Sequence, residues 1–364
     1  MKFVIFGLTI SSSWGNGHAT LWRGLCRALI RQGHDIVFFE RDVPYYAANR
    51  DLDELRGGEL RLYADWPDAI VLARKPLAEA DVTIVTSYCP DGIVAGELTL
   101  TAPRAVHVFY DLDTPVTLSR LSAGQEIGYI GPRGLADFDL VLSYTGGGAL
   151  TALQDRLGAR RVAPLFGHVD PEEHRPAEPA DRYRADLSYL GTYAEDRHHA
   201  LEAFLIEPAR RASHRRFLIG GASYPARFPW TPNLFFVRHL PPSEHPAFFS
   251  SSRLTLNITR PAMAEMGFCP SGRLFEAAAC GAPILSDAWK GLDHFFEPGR
   301  QILVARSTEE VIAALELSDV ELRRMADAAQ ARVLDQHTSD HRVADLERAL
   351  NETRRAAPVP VMEA

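Results

Sequence analysis

The sequence predicts an α/β protein of two doubly wound parallel-sheet domains facing each other across a cleft. Three observations lead there. Short apolar runs alternate with helical or polar segments along the chain. A stretch rich in proline and charge, LFGHVDPEEHRPAEPADRYR (165–184), interrupts the series and reads as a linker. Beyond it the order strand, glycine, helix, strand begins again. With 364 residues, 46% of them apolar, the chain holds material for two cores.

The elements follow in order. FVIFG (3–7) is a buried strand that stops at glycine, and the polar loop SSSWGNG follows it. A helix is expected from His18 to Arg31, with Leu21, Leu25, Ala28 and Leu29 on one face and Gly33 past its end. DIVFFE, LRLY (60–63), DVTIV (81–85), AVHVFY (105–110) and DLVLSY (139–144) are further strands. The second series opens with LSYLG (187–191) and a helix from Asp196 to Ala212, bent or ended near Pro208. RRFLIGG (215–221), NLFFV (233–237), LTLNI (254–258), APILS (282–286) and ILVA (302–305) complete it. An amphipathic helical stretch runs over 319–350, and the tail AAPVPVMEA reads as frayed. The domains are drawn at 1–168 and 185–330, with 331–364 as a C-terminal helix and tail packing back on the first.

Composition excludes several classes. A net charge of −8 argues against a general nucleic-acid binder, which needs a basic face. Cys26, Cys89, Cys269 and Cys280 form no CxxC pair and read as reduced thiols, consistent with the cytoplasm. The apolar start MKFVIFGLTI reads as a first strand, not as a signal peptide, and no apolar run is long enough to span a bilayer. Thirteen histidines include His198, His199, His239 and His245, and no HxH or HxxxH pattern with carboxylates stands out among these four. They are read as surface or supporting residues, and no metal is expected.

The segment SGRLFEAAACGAPI (271–284) carries the most chemistry. Ser271 can cap a helix whose amino end offers N–H groups to a phosphate. Gly272 permits close backbone approach, and Arg273 adds a forked positive charge. Glu276, one turn on, can accept from the two hydroxyls of a ribose. The bland alternative is a capped surface helix with an Arg273–Glu276 pair.

FEAAACGAPILSD resembles the EAMACGxPV signature of GT-B glycosyltransferases, two Rossmann-like domains, of the group 1 kind. FVRHLPPSEHPAFF, LTLNITR and DAWKGLDHFFEPGRQILV, with FFERDVPYYAANRDL and FYDLDTPVTL, resemble the CgeB-like (spore maturation) branch. The resemblance implies sugar transfer from a nucleotide-diphosphate donor to an unidentified acceptor, without metal or other cofactor. It implies an acceptor-binding first domain and a donor-binding second. Glu276 would hold the ribose. Ser271, Gly272 and Arg273 would face the diphosphate, with Gly191 and Thr192 beside it. The backbone at His239 and Leu240 would meet the base, and Gly17 and Arg260 complete the donor set. Relatives carry a second glutamate eight residues before the first; Phe268 stands there, removing a donor-sugar contact.

In the first half, His18 in GNGHA is either a base titrating near neutral pH or a helix-start residue. Asp111 and Asp113 follow a strand at its functional edge and are candidate bases; the alternative is a turn before Thr114 and Pro115. Arg41, Asp42, Tyr45 and Tyr46 combine charge and aromatic faces suited to an acceptor, which can be a polysaccharide, protein, lipid or small molecule. Three rivals stand beside this reading. An NAD-dependent oxidoreductase would use Glu40, although GxGxxG is missing after the first strand. The others are a nucleotide-sugar epimerase of the same fold and a non-catalytic nucleotide-sugar-binding protein.

Overall fold

The computed structural model describes residues 1–356; the tail beyond lies outside the described residues. The chain divides into two compact units. The first comprises residues 1–12, 22–166 and those from 340 onward; the second comprises 13–21 and 167–339.

Each unit holds one parallel sheet. In the first, β1 (Lys2–Gly7), β2 (Asp35–Arg41), β3 (Glu59–Tyr63), β4 (Val82–Thr86), β5 (Val106–Asp111), β6 (Leu140–Ser143) and β7 (Val162–Pro164) lie in the order β3-β2-β1-β4-β5-β6-β7. Strands such as Phe3–Phe6, Ile36–Phe39 and Val82–Val85 are buried along their length because helices cover both faces. The helix Ser339–Ala356 joins this unit through Arg31–Asp340 at 3.1 Å and His34–Glu347 at 3.0 Å.

The second sheet contains β8 (Leu187–Leu190), β9 (Phe217–Gly221), β10 (Leu234–Arg238), β11 (Thr255–Asn257), β12 (Ile284–Asp287) and β13 (Leu303–Ala305), ordered β10-β9-β8-β11-β12-β13. Its core gathers Leu187, Tyr189, Leu205, Phe217, Leu256 and Leu285. The strand order reverses between β8 and β11, which makes the carboxyl ends of those strands the natural binding place in such a sheet.

Two elements differ from expectation. The helix expected over 196–212 is broken into a 3₁₀ turn, a short α-helical turn, a π-helical turn at Glu202–Ile206 and a last α turn at Glu207–Arg211. Pro208 supplies no N–H and its ring crowds the carbonyl four residues back, so the ladder widens just before it. Strand β7 escaped notice because three residues ending in proline carry no apolar period. The stretch read as a linker is tied down from its start. The Val169 N–H donates to His337 O at 3.0 Å, and Ala177 and Ala180 donate to the hydroxyls of Ser250 and Ser251.

Candidate donor site and acceptor-side residues

The donor candidates of the second unit gather at the reversal of strand order. The helix Gly272–Ala279 buries Leu274, Phe275 and Ala277–Ala279, which leaves Arg273 and Glu276 on its other face. Ser271 occupies the N-cap position, but its hydroxyl makes no capping hydrogen bond. The amino end is therefore not closed by that side chain.

Arg273 turns toward β11 and β8. Its Nη1 donates to Asn257 Oδ1 at 3.2 Å, and its guanidinium stands 5.1 Å over the Tyr189 ring. Asn257 is itself held by donating to Ser286 Oγ at 3.0 Å, so the ends of two strands aim Arg273. Gly191 leaves room for two of these side chains. A Cβ on it would lie 2.7 Å from the Tyr189 hydroxyl and 2.9 Å from Arg273 Nη2. The Gly191 carbonyl accepts from the Tyr224 hydroxyl at 3.0 Å, and the Thr192 carbonyl accepts from Arg197 Nη2.

The electrostatics of this corner are unbalanced. Arg273 Nε, Arg197 Nε and the Tyr189 hydroxyl are all buried and have no hydrogen-bond partner. Burial lowers the Arg273 pKa, and the nearby charge of Arg197 lowers it further. Two guanidiniums that repel one another while keeping unused donors suit an anion of more than one charge.

Glu276 does not pair with Arg273 across the helix, as the bland alternative required. Its Oε2 lies 3.6 Å from His245 Nδ1, and His174 Nε2 lies 3.5 Å from the same nitrogen. Burial alone would raise the Glu276 carboxyl; His174, His245 and Arg273 outweigh it and hold the pKa at about 2. The carboxylate is thus ionised at any working pH.

His239 follows β10 with a left-handed φ of 47°, donates its N–H to Gly221 O at 2.7 Å and lies 4.2 Å, ring to ring, from Trp14. Trp14 belongs to the segment 13–21, which groups with this unit and also carries Gly17 and His18 at the start of the helix Gly17–Arg31. A Cβ on Gly17 would meet nothing within 4 Å, and the His18 N–H donates to Asn16 Oδ1. Leu240 is buried. Arg260 forms a 2.7 Å ion pair with Asp196 and is not brought to Arg273 by any hydrogen bond described. Phe268 follows Gly267 with both residues at positive φ (48° and 75°), a costly backbone for phenylalanine. A Cβ on Gly291 would fall 2.6 Å from the Phe268 ring, so that glycine makes room for it.

In the first unit, Asp111 ends β5 fully buried. Its Oδ1 accepts from the Asp113 N–H at 3.1 Å and Thr117 Oγ1 at 3.2 Å, and burial pushes its pKa up to about 6. Asp113 is only half-buried and accepts from the Tyr88 hydroxyl. A raised folded-state pKa means that the folded state binds the proton more tightly. The associated stability is present below the ordinary value of 3.8 and lost as pH rises through about 6. Asp111→Asn is therefore expected to stabilise the protein by up to about 3 kcal/mol at pH 8 and to have little effect at pH 3.5. Urea unfolding at the two pH values measures it.

The remaining first-unit candidates all have partners. Arg41 bonds Asp91 at 3.0 Å, Asp42 bonds Arg50 at 2.8 Å, and Tyr45 and Tyr46 meet edge to face at 5.1 Å. Tyr45 is 55% exposed. Glu40, the acid an oxidoreductase would need, is consumed: it is fully buried and accepts from Thr9 Oγ1, Ile10 N, Ser11 N and Ser11 Oγ. No capacity remains for a ribose, which removes that rival's key residue.

Comparison with known proteins places this geometry. Residues 197–348 match the glycosyl transferase-like family. No match was found among the curated proteins. Among solved structures, a sucrose-phosphate synthase from Thermosynechococcus elongatus is similar at TM-score 0.71 and 13% identity, covering 98% of this chain and 100% of its own. Anabaena HepE in complex with UDP-glucose is similar at 0.69 and 13%, covering 97% and 100%. An alpha-glucosyltransferase in complex with UDP-glucose and DNA containing an abasic site is similar at 0.69 and 13%, covering 96% and 99%. The fold is GT-B: two α/β, Rossmann-like, parallel-sheet domains.

Within the glycosyl transferase-like segment, sequence reading found Arg273 and Glu276, took His245 for a surface or supporting residue, and missed Arg197 and Asn257; it also missed His174 and Tyr189 outside the segment. Asn257 had a signal, being a polar residue at the carboxyl end of a buried strand next to the reversal. His174 had none, because it sits in irregular chain whose course only the packing determines; Arg197 opens a helical stretch, and only the packing brings it near Arg273. Among the described residues no helix is long and apolar enough to cross a membrane.

Proposed function

We propose that the protein transfers a sugar from a nucleoside diphosphate to an acceptor hydroxyl, with the second unit holding the donor. One observation carries the reading: the buried, unpartnered donors of Arg197, Arg273 and Tyr189 at the reversal of strand order. The diphosphate would take those donors and the amino end of the helix at Gly272, with Gly191 and Thr192 alongside. Glu276 would accept from the ribose hydroxyls, and the backbone at His239 and Leu240 would meet the base. In the transfer the bond between the anomeric carbon and the phosphate oxygen breaks and its electron pair goes to the diphosphate. The acceptor oxygen bonds that carbon and gives up its proton. Guanidiniums and helix dipole would carry the leaving charge, so no metal is required in this scheme. For the base we choose Asp113, which keeps exposed surface, with Asp111 bracing its backbone; His18 is the other candidate. Arg41, Asp42, Tyr45 and Tyr46 are the proposed acceptor contacts. The motifs quoted above favour the CgeB-like branch as its subtype. Four buried free thiols suit the cytoplasm.

The test is a thermal-shift series with UDP, GDP, TDP and CDP on the whole chain. One nucleotide should raise the midpoint by mass action. Glu276→Ala should weaken its binding on the order of 100-fold, about 3 kcal/mol, by removing hydrogen bonds to a charged group. No shift with any nucleotide would refute the reading. Phe268, in place of a donor-sugar contact, favours a second reading in which the site binds a nucleotide sugar without transfer. Donor hydrolysis, epimerised sugar or acceptor product would each decide against that one.

A further inference from the structure

Three side chains from separate stretches converge beside the proposed ribose position. His174 comes from the irregular chain after Gly167, His245 from the start of the helix His245–Ser250, and Glu276 from the helix Gly272–Ala279. One nitrogen or oxygen of each lies within 4.8 Å of the others. His245 Nδ1 stands at the centre, 3.5 Å from His174 Nε2 and 3.6 Å from Glu276 Oε2. A single N–H serves only one partner, and both separations exceed the 2.7–3.2 Å range of ordinary hydrogen bonds. The three groups are therefore poorly explained as a hydrogen-bond network.

Two of the three separations match ligands around a common ion, and the third lies within 4.8 Å. Zinc bonds nitrogen at about 2.0–2.1 Å and carboxylate oxygen at about 2.0–2.2 Å, so the edges of its tetrahedron measure roughly 3.3–3.6 Å. Two imidazoles and one carboxylate form a ligand set typical of three-ligand zinc sites, with the fourth position left to water.

We propose that His174, His245 and Glu276 form a zinc site that excludes the donor nucleotide by occupying the carboxylate meant for its ribose. The exclusion rests on the assignment of Glu276 in the proposed function; the ion site itself does not. The site is inhibitory, so it is compatible with transfer that uses no metal.

The test uses the full chain after chelator treatment, titrated with zinc chloride by calorimetry, with and without UDP. The expected result is one tight equivalent, weakened at least ~100-fold in His174→Ala and in His245→Ala, since changes around a zinc site's ligands alone cost 10–100-fold. X-ray absorption should show two imidazole nitrogens and oxygen at about 2.0–2.1 Å. UDP should weaken zinc binding, and zinc should weaken the UDP thermal shift equally. If either alanine variant is unfolded by circular dichroism, the corresponding asparagine variant, His174→Asn or His245→Asn, takes its place. Zinc uptake that is unchanged in folded variants overturns the ion site, whether or not UDP binds. Zinc uptake that needs both histidines but ignores bound UDP overturns the exclusion, and with it the assignment of Glu276 to ribose.

Discussion

Arg273→Met is expected to abolish the nucleotide-dependent thermal shift and to lower kcat/KM by about 10²–10³, the usual loss when one preorganised donor to a developing negative charge is removed. The apo protein should not suffer. Its Arg273 holds a buried charge with an unused Nε, and burial disfavours the charged form. Methionine of similar length fills the space over Tyr189 without that desolvation cost. The apo midpoint should therefore stay level or rise, by about 2–4 °C for each kcal/mol gained. Differential scanning fluorimetry of wild type and variant, with and without nucleotide, reads both effects. An apo midpoint that falls steeply would mean that Arg273 is a structural prop, and the anion reading would fail.

Asp113→Asn is expected to lower turnover by about 10²–10⁴ while leaving nucleotide binding intact, as removal of a general base does. The substitution is close to isosteric, and Asp113 neither caps the helix Thr114–Ser122 with its side chain nor lies fully buried. The fold should tolerate it. Single-turnover assays with saturating donor separate the chemical step from binding. If Asp113→Asn retains turnover and Asp111→Asn or His18→Ala loses it, the base moves to that residue.

The fold was legible because the central strands of both sheets are continuous apolar runs, and a buried parallel strand announces itself without any partner in view. The helix beginning at Gly272 was legible for a similar reason: cap, glycine, charge and small residues lie within one short segment. What stayed hidden depends on distant chain. Tyr189 reads as an ordinary core aromatic until Arg273, far along the sequence, is laid over it. His174 sits in a proline-rich stretch that reads as a linker, yet that stretch is fastened by hydrogen bonds from Val169 to Ala180. Glu40 shows the converse. Its position suggested ribose binding, and only the loop Thr9–Ser11 folding onto it reveals a structural carboxylate.

The first unit is not a continuous stretch of chain. Residues 340–356 belong to it although the whole second unit is encoded before them. During synthesis the seven-stranded sheet must wait, with the surface around Arg31 and His34 uncovered, until the ribosome has passed the last of these residues. A fragment cut at the boundary near Phe166 would keep every strand of that sheet and still expose the same surface. It should therefore be less stable and more prone to aggregate than the unit it was meant to isolate.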